Sequence, residues 1–219
     1  MHKADGLVCF GRIKGSGRRK EHTSAEQLLK YAAEKFFCME FDINAIQKQE
    51  HGKPYYAKDE RVQFNVSHCK DFAAAAVSGW QVGVDVEGRR RVNRRTVMKC
   101  CGKEEIFYVF GETAEEKSGD VILTEAESRR FLHLWTLKES YVKMTGEGMR
   151  TPFARVCFDL SGRTENAEKQ VREILGAFPD CRHFLYLDQG LTAALSVRCP
   201  GLLRQPEFLW EFADGKILQ

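Results

Sequence analysis

Asn65-Val-Ser-His-Cys-Lys-Asp-Phe-Ala-Ala-Ala-Ala-Val-Ser-Gly-Trp-Gln-Val-Gly-Val-Asp-Val-Glu87 is the stretch that decides the reading of this chain. It ends in a strand pattern in which Val82, Val84 and Val86 face one way and Gly83, Asp85 and Glu87 the other. Side chains two apart on a strand share a face, so the two acids project from one side of a sheet. Two adjacent like charges repel unless a cation separates them, and alternate carboxylates suit a hard ion such as Mg2+, with Mn2+ as the other option. From these residues alone, a polar strand end reaching solvent gives the same pattern. Upstream, Val62 to Ser67 and Phe72 to Ser78 read as two further strands, the first delivering Ser67 and His68 to its end.

Around that stretch the composition is that of an ordinary folded protein: 219 residues, 43% hydrophobic and 30% charged, with a net charge of only +3. So slight a charge makes no case for non-specific nucleic-acid binding, no apolar run is long enough for a membrane span, and the N-terminus lacks the apolar core of a secretion signal. The eight cysteines show no Cys-x-x-Cys spacing and read as reduced, largely buried thiols, with Cys69 the candidate for a reactive one; the expectation is a cytoplasmic protein.

Before the opening stretch, Leu7 to Ile13 reads as a strand and Lys14 to Lys20 as a Gly-rich basic loop without Walker spacing. Ala25, Leu28, Leu29, Ala32, Ala33, Phe36 and Phe37 hold a helical period, with Thr23 and Glu26 as its expected capping box. Gly52-Lys53-Pro54 places Lys53 in a fixed turn. After the opening stretch, Arg89 to Arg95 is strongly basic without interleaved aromatics, so it reads as a linker or a contact for an acidic protein more readily than as a base-stacking surface. Val97 to Cys101 and Ile106 to Phe110 read as helical on either side of Gly102, and Glu112 to Gly119 as an acidic insertion or mobile loop.

The second decisive element is Phe131 to Met144, a helix opened by a Thr124–Glu127 capping box. Lys138 falls inside its apolar arc and requires a partner or a snorkelling stem. Glu139 and Lys143 are i, i+4 neighbours, readable as a surface ion pair or as a carboxylate and a cation aimed together at a phosphate–metal assembly. Beyond Gly146, Val156 to Leu160, His183 to Leu187, Leu191 to Val197 and Glu207 to Phe212 read as strands, with Glu168 to Leu175 a short helix or a flap. Phe184 to Val197 faintly echoes Asn65 to Ser78, which suggests two related α+β units, residues 1–92 and 93–219.

Gly52-Lys53-Pro54, Phe64 to His68, Gly83 to Glu87 and Trp135-Thr-Leu-Lys138-Glu139-Ser-Tyr-Val-Lys143, in this order, resemble the 4′-phosphopantetheinyl transferases of the surfactin-synthetase-activating (Sfp) type. The resemblance runs from about residue 52 to 150, more weakly to about 212. It implies an α+β fold with two similar halves in pseudo-two-fold arrangement, a site in the cleft between them, and a monomer. It also implies transfer of the phosphopantetheine arm of coenzyme A to a serine of an apo acyl or peptidyl carrier protein, as in nonribosomal peptide, polyketide, fatty acid or lysine biosynthesis, releasing adenosine 3′,5′-bisphosphate. Carried over residue by residue, Asp85, Glu87 and Glu139 would hold Mg2+. Lys53, Ser67, His68, Asp85, Glu139 and Lys143 would contact coenzyme A, and Lys143 would also serve catalysis. Glu105 would be the base on the carrier serine, with Glu104 beside it as the alternative. Arg18 and Arg19, together with Lys20, would take the 3′-phosphate, with Arg12 and Lys14 as the other choices. Cys69 stands where relatives often have serine. A different Mg2+-dependent phosphoryl or nucleotidyl enzyme and a basic nucleic-acid module are the rival classes, and neither accounts for all four motifs.

Overall fold

A computed structural model describes residues 4–15, 17–111, 121–160, 170–176, 178–188, 190–201 and 206–213. The strands are β1 (Gly6–Arg12), β2 (Ile46–Lys48), β3 (Pro54–Tyr56), β4 (Gln63–His68), β5 (Phe72–Ser78), β6 (Gln81–Gly88), β7 (Phe158–Asp159), β8 (Gln170–Gly176), β9 (Cys181–Asp188), β10 (Leu191–Arg198) and β11 (Phe208–Phe212). The helices are α1 (Arg18–Phe37), α2 (Arg94–Cys100), α3 (Lys103–Phe110) and α4 (Glu125–Thr145). One sheet has the order β11-β1-β5-β4 and the other β6-β10-β9-β8-β7, while β2 and β3 form a small hairpin.

Alternation along the strands builds four layers. Leu7 and Cys9 of β1 and Ala73, Ala75 and Val77 of β5 face α1, where they meet Ala25, Leu28, Leu29, Ala32 and Ala33. The residues between them, Val8, Phe10, Ala74 and Ala76, face the second sheet and meet Val82, Val84, Leu195 and Val197. On that sheet's far side, Leu185 and Ala194 pack under Phe131, Leu134 and Leu137 of α4. Alanine in β5 and β10 keeps the layers close, and each fully buried leucine contributes about 1.5–3 kcal/mol. The result is α+β with two sheet-containing halves, each sheet covered by one long helix.

The expected halves at 1–92 and 93–219 trade strands. β6 leaves the chain's first part to pair along its whole length with β10, Asp85 opposite Ala194. In return β11 joins the first sheet, running parallel to β1. Trading strands puts the edge strand β4 beside β6, joined by the Val84 N–H donating to Asn65 Oδ1 at 2.9 Å.

Several local expectations are corrected. α1 starts at Arg18 behind Gly17, whose φ of 115° breaks the chain, so Thr23 and Glu26 lie within the helix and form no cap. The apolar period starts later than the helix because the first turn is solvent-exposed. Residues 170–175 of the expected helix or flap lie in strand β8, with residues 168–169 outside the described residues. Only Phe158–Asp159 of the strand expected at 156–160 is extended, a 3-10 turn occupying Phe153–Arg155. The acidic insertion at 112–119 lies outside the described residues. The Thr124–Glu127 capping box of α4 is formed on both sides, with the Thr124 N–H donating to Glu127 at 2.8 Å and Glu127 N–H to Thr124 Oγ1 at 3.2 Å.

Candidate active site

The site forms where α4 lies across β6. At Gly83 the two backbones approach so closely that a Cβ would stand 2.8 Å from Met144 Cα, and nearer still to the Ser140 carbonyl oxygen and Met144 N. Only glycine admits that approach, and the acids two and four residues further on thereby come up against Glu139 and Lys143. Val82, Val84 and Val86 turn into the inter-sheet core, so Asp85 and Glu87 face the helix.

Asp85 is buried and its two oxygens differ. Oδ1 accepts from Ser67 Oγ at 2.8 Å and from Lys143 Nζ at 2.6 Å, and Lys143 also donates to Ser67 Oγ at 2.9 Å. Oδ2 is buried with no hydrogen-bond partner among the described residues. Lys143 therefore pairs with Asp85, and the reading of Glu139–Lys143 as a surface ion pair is set aside. Glu87 is gripped through both oxygens by Arg90, at 3.1 Å each, and the Arg90 guanidinium lies over the Trp135 ring. Burial and the neighbouring charges of Asp85 and Glu87 hold the Glu139 carboxyl above its ordinary value. Burial likewise raises Glu87, against the pull of Arg90. Burial is the larger cause in both, and the like charge of the neighbouring Asp85 adds to it. No three His, Cys, Asp or Glu side chains among the described residues converge as a ready cation site. Oxygen donors of the kind a hard divalent ion takes are nonetheless present, in the unsatisfied buried Oδ2 of Asp85 and in the carboxylates of Glu87 and Glu139.

A groove of about 240 Å³ runs from Glu139 and Lys143 past Asn65 and Val142 to Lys53 and Phe153. Lys53 donates to the Met144 carbonyl at the end of α4, and Gln81 Nε2 donates to the same oxygen at 2.9 Å. Burial depresses the Lys53 ammonium to about 8. His68 ends β4 with Nδ1 3.4 Å from Glu21 Oε2, which puts the first turn of α1, with exposed Arg18 and Arg19, at the same end of the sheet.

Glu105 stands apart from this cluster. It is 3% exposed, and its Oε2 accepts from Lys138 Nζ at 2.7 Å and the Gly102 N–H at 2.9 Å, while Oε1 accepts from the Phe158 N–H at 3.1 Å. Lys138, fully buried, completes its shell with the carbonyls of Phe153 and Val156, so it does not snorkel. Glu104, one position earlier, is exposed.

The basic run Arg89 to Arg95 is dispersed among local contacts. Arg89 meets Glu125, Arg90 meets Glu87, and Arg94 is buried against the Phe110 ring. Asn65 and Arg90 were not singled out from sequence, although a lone asparagine in the apolar run Phe64 to Val66 was the available signal for the first.

The profile of the 4'-phosphopantetheinyl transferase superfamily matches residues 81–194, more than half of the chain. This protein belongs to that superfamily. Among curated proteins it is 30% identical over 106 residues to "4'-phosphopantetheinyl transferase gsp" of Aneurinibacillus migulanus, covering 48% of this chain and 40% of that one. It is 26% identical over 104 residues to "4'-phosphopantetheinyl transferase Sfp" of Bacillus subtilis (strain 168), covering 48% of this chain and 42% of that one. A human "L-aminoadipate-semialdehyde dehydrogenase-phosphopantetheinyl transferase" is 30% identical over 126 residues, covering 53% and 39%. The matched stretches span about half or less of these relatives' lengths.

Proposed function

We propose that this protein transfers the 4′-phosphopantetheine group of coenzyme A to a serine of an apo acyl or peptidyl carrier protein, with release of adenosine 3′,5′-bisphosphate. The observation that carries the reading is the Ser67–Asp85–Lys143 cluster with its unpartnered Asp85 Oδ2, set in a chain of this superfamily. Asp85, Glu87 and Glu139 would hold Mg2+ or Mn2+. When bound, the ion supplies charge neutralisation at the pyrophosphate oxygens.

This chain's own residues do the rest. Lys143, already within reach of Ser67 and Asp85, offers its ammonium to the phosphate that departs with the adenosine. Ser67 and His68 at the end of β4, Lys53 across the groove, and Arg18 and Arg19 on the first turn of α1 bind the remaining phosphates. The carrier serine oxygen attacks the phosphorus that bears pantetheine. The phosphoanhydride bond breaks, and its electron pair leaves with adenosine 3′,5′-bisphosphate. The serine proton goes to a carboxylate, because a neutral hydroxyl is a poor nucleophile. Both oxygens of Glu105 are already committed, whereas exposed Glu104 is open to a docked carrier. All eight cysteines are free thiols, and no helix among the described residues is long and apolar enough to cross a membrane. A cytoplasmic protein is the reading that goes with the free thiols, and a monomer is what the two-halved family resemblance implies.

Intact-mass analysis of apo carrier proteins incubated with this protein, coenzyme A and Mg2+ tests the proposal. A phosphopantetheine-sized gain that disappears with EDTA and in Glu139→Ala is expected. No gain across fatty-acid, polyketide and peptide carriers, with no binding of coenzyme A, would sink it.

A further inference from the structure

Glu139 sits on α4 between two residues that are themselves fully buried, Lys138 and Ser140. Successive helical residues differ by about 100°, so the two neighbours grip the helix on opposite flanks while Glu139 points between them. On one flank Ser140 Oγ meets Ser196 Oγ at 2.8 Å, and Ser196 in turn meets His183 Nδ1 at 2.9 Å. On the other, Lys138 ties α4 to Glu105 of α3 and to the carbonyls of Phe153 and Val156, while Glu105 is itself pinned by the N–H groups of Gly102 and Phe158. The Glu105 carboxylate thus accepts three hydrogen bonds, one from a buried ammonium, and faces protein on all of them.

We infer that Glu105 is a positioning residue, and that the Lys138–Glu105 pair sets the rotation and height of α4 that bring Glu139 to the cation. A general base needs an oxygen free to take the substrate's proton at hydrogen-bond range. At Glu105 both oxygens already accept, from the Lys138 ammonium and from the Gly102 and Phe158 N–H groups, so neither is free to take a substrate's proton. Supports behind a metal ligand act on metal affinity itself, by about 10–100-fold when removed.

The inference deepens the transferase reading and rests on it for its activity arm only. Three proteins decide it: the parent, Glu105→Gln, and Glu105→Gln combined with Lys138→Met. The single variant leaves a buried ammonium without its counter-ion, whereas the double variant removes the charge from both ends. Mn2+ binding by electron paramagnetic resonance, melting temperature, and transfer rate across metal concentrations are measured on each. The single variant should melt lower by about 10 °C, bind Mn2+ about 10–100-fold more weakly, and regain most of its rate when metal is raised. The double variant should recover all three, with a transfer rate within about 10-fold of the parent, below the whole range of about 100–10,000-fold for deleting a general base. Two results overturn the inference: a single variant that binds Mn2+ as the parent does, or a double variant that folds and binds Mn2+ but stays about 1,000-fold slow at saturating metal. Should the single variant not fold, the double variant alone decides on the same criteria. A parent that transfers nothing defeats the transferase reading, and the Mn2+ and melting arms then decide this one.

Discussion

Gly83→Ala adds one methyl group at the contact on which the site depends. That carbon would meet backbone atoms of α4, with Met144 Cα at 2.8 Å and the Ser140 carbonyl and Met144 N closer still. No side chain can swing away, so α4 must retreat from β6 by on the order of 1 Å to restore ordinary contact distances. Overpacking of this kind costs about 1–3 kcal/mol, and in a chain of this size about 2 kcal/mol lowers the melting point by roughly 4–8 °C. The functional effect should be larger than the thermal one. The same retreat draws Glu139 and Lys143 away from Asp85, and a misplacement of about 1 Å can cost about 100-fold in rate. Circular dichroism melting, Mn2+ titration and carrier transfer on the same preparation read the three effects. Gly79→Ala is the control, since a Cβ there meets nothing within 4 Å. A Gly83→Ala protein that melts within a degree of the parent and binds Mn2+ equally would refute the idea that this close approach builds the site.

His183, buried with its Nε2 unpartnered among the described residues, has its imidazole depressed to about 4 by desolvation. The unfolded chain takes up its proton near pH 6.5, so stability is fully present above that value and falls as pH drops toward 4, by about 3 kcal/mol at most. Urea melts of the parent and His183→Asn across that window should show the slope only in the parent. Arg90→Ala frees Glu87 from a half-exposed guanidinium, and up to about 5-fold tighter Mn2+ binding is expected by calorimetry. Thr124→Ala removes the cap of α4 at about 1 kcal/mol, read as a melting point lower by roughly 2–4 °C.

Much of this was legible because it is local. Alternation in Val82 to Glu87 told which face the acids occupy, and the oddity of Lys138 in an apolar arc called for a partner or a snorkelling stem, of which the structure shows the partner. What the sequence hid lies in long-range pairing. Nothing near Asp85 announces that its strand joins β10, or that β11 runs beside β1. β8 pairs with β9 and buries Ile174 while exposing Val171, a pattern too short to separate strand from helix by period. The roles of Glu105 and Lys143 depend on partners 33 and 58 residues away, so a motif could name the residues without fixing their contacts.

The pairing of β1 with β11 also governs when the molecule can become whole. The Glu207 N–H donates to an Asp5 carboxylate across a separation of 202 residues. At about 5–20 residues per second of synthesis, β1 waits roughly 10–40 s for its parallel neighbour. Through that interval one edge of the first sheet has no strand to cover it, an invitation to pair with another chain. That edge is closed last among the described strands, after the four helices and β1 to β10 have been made.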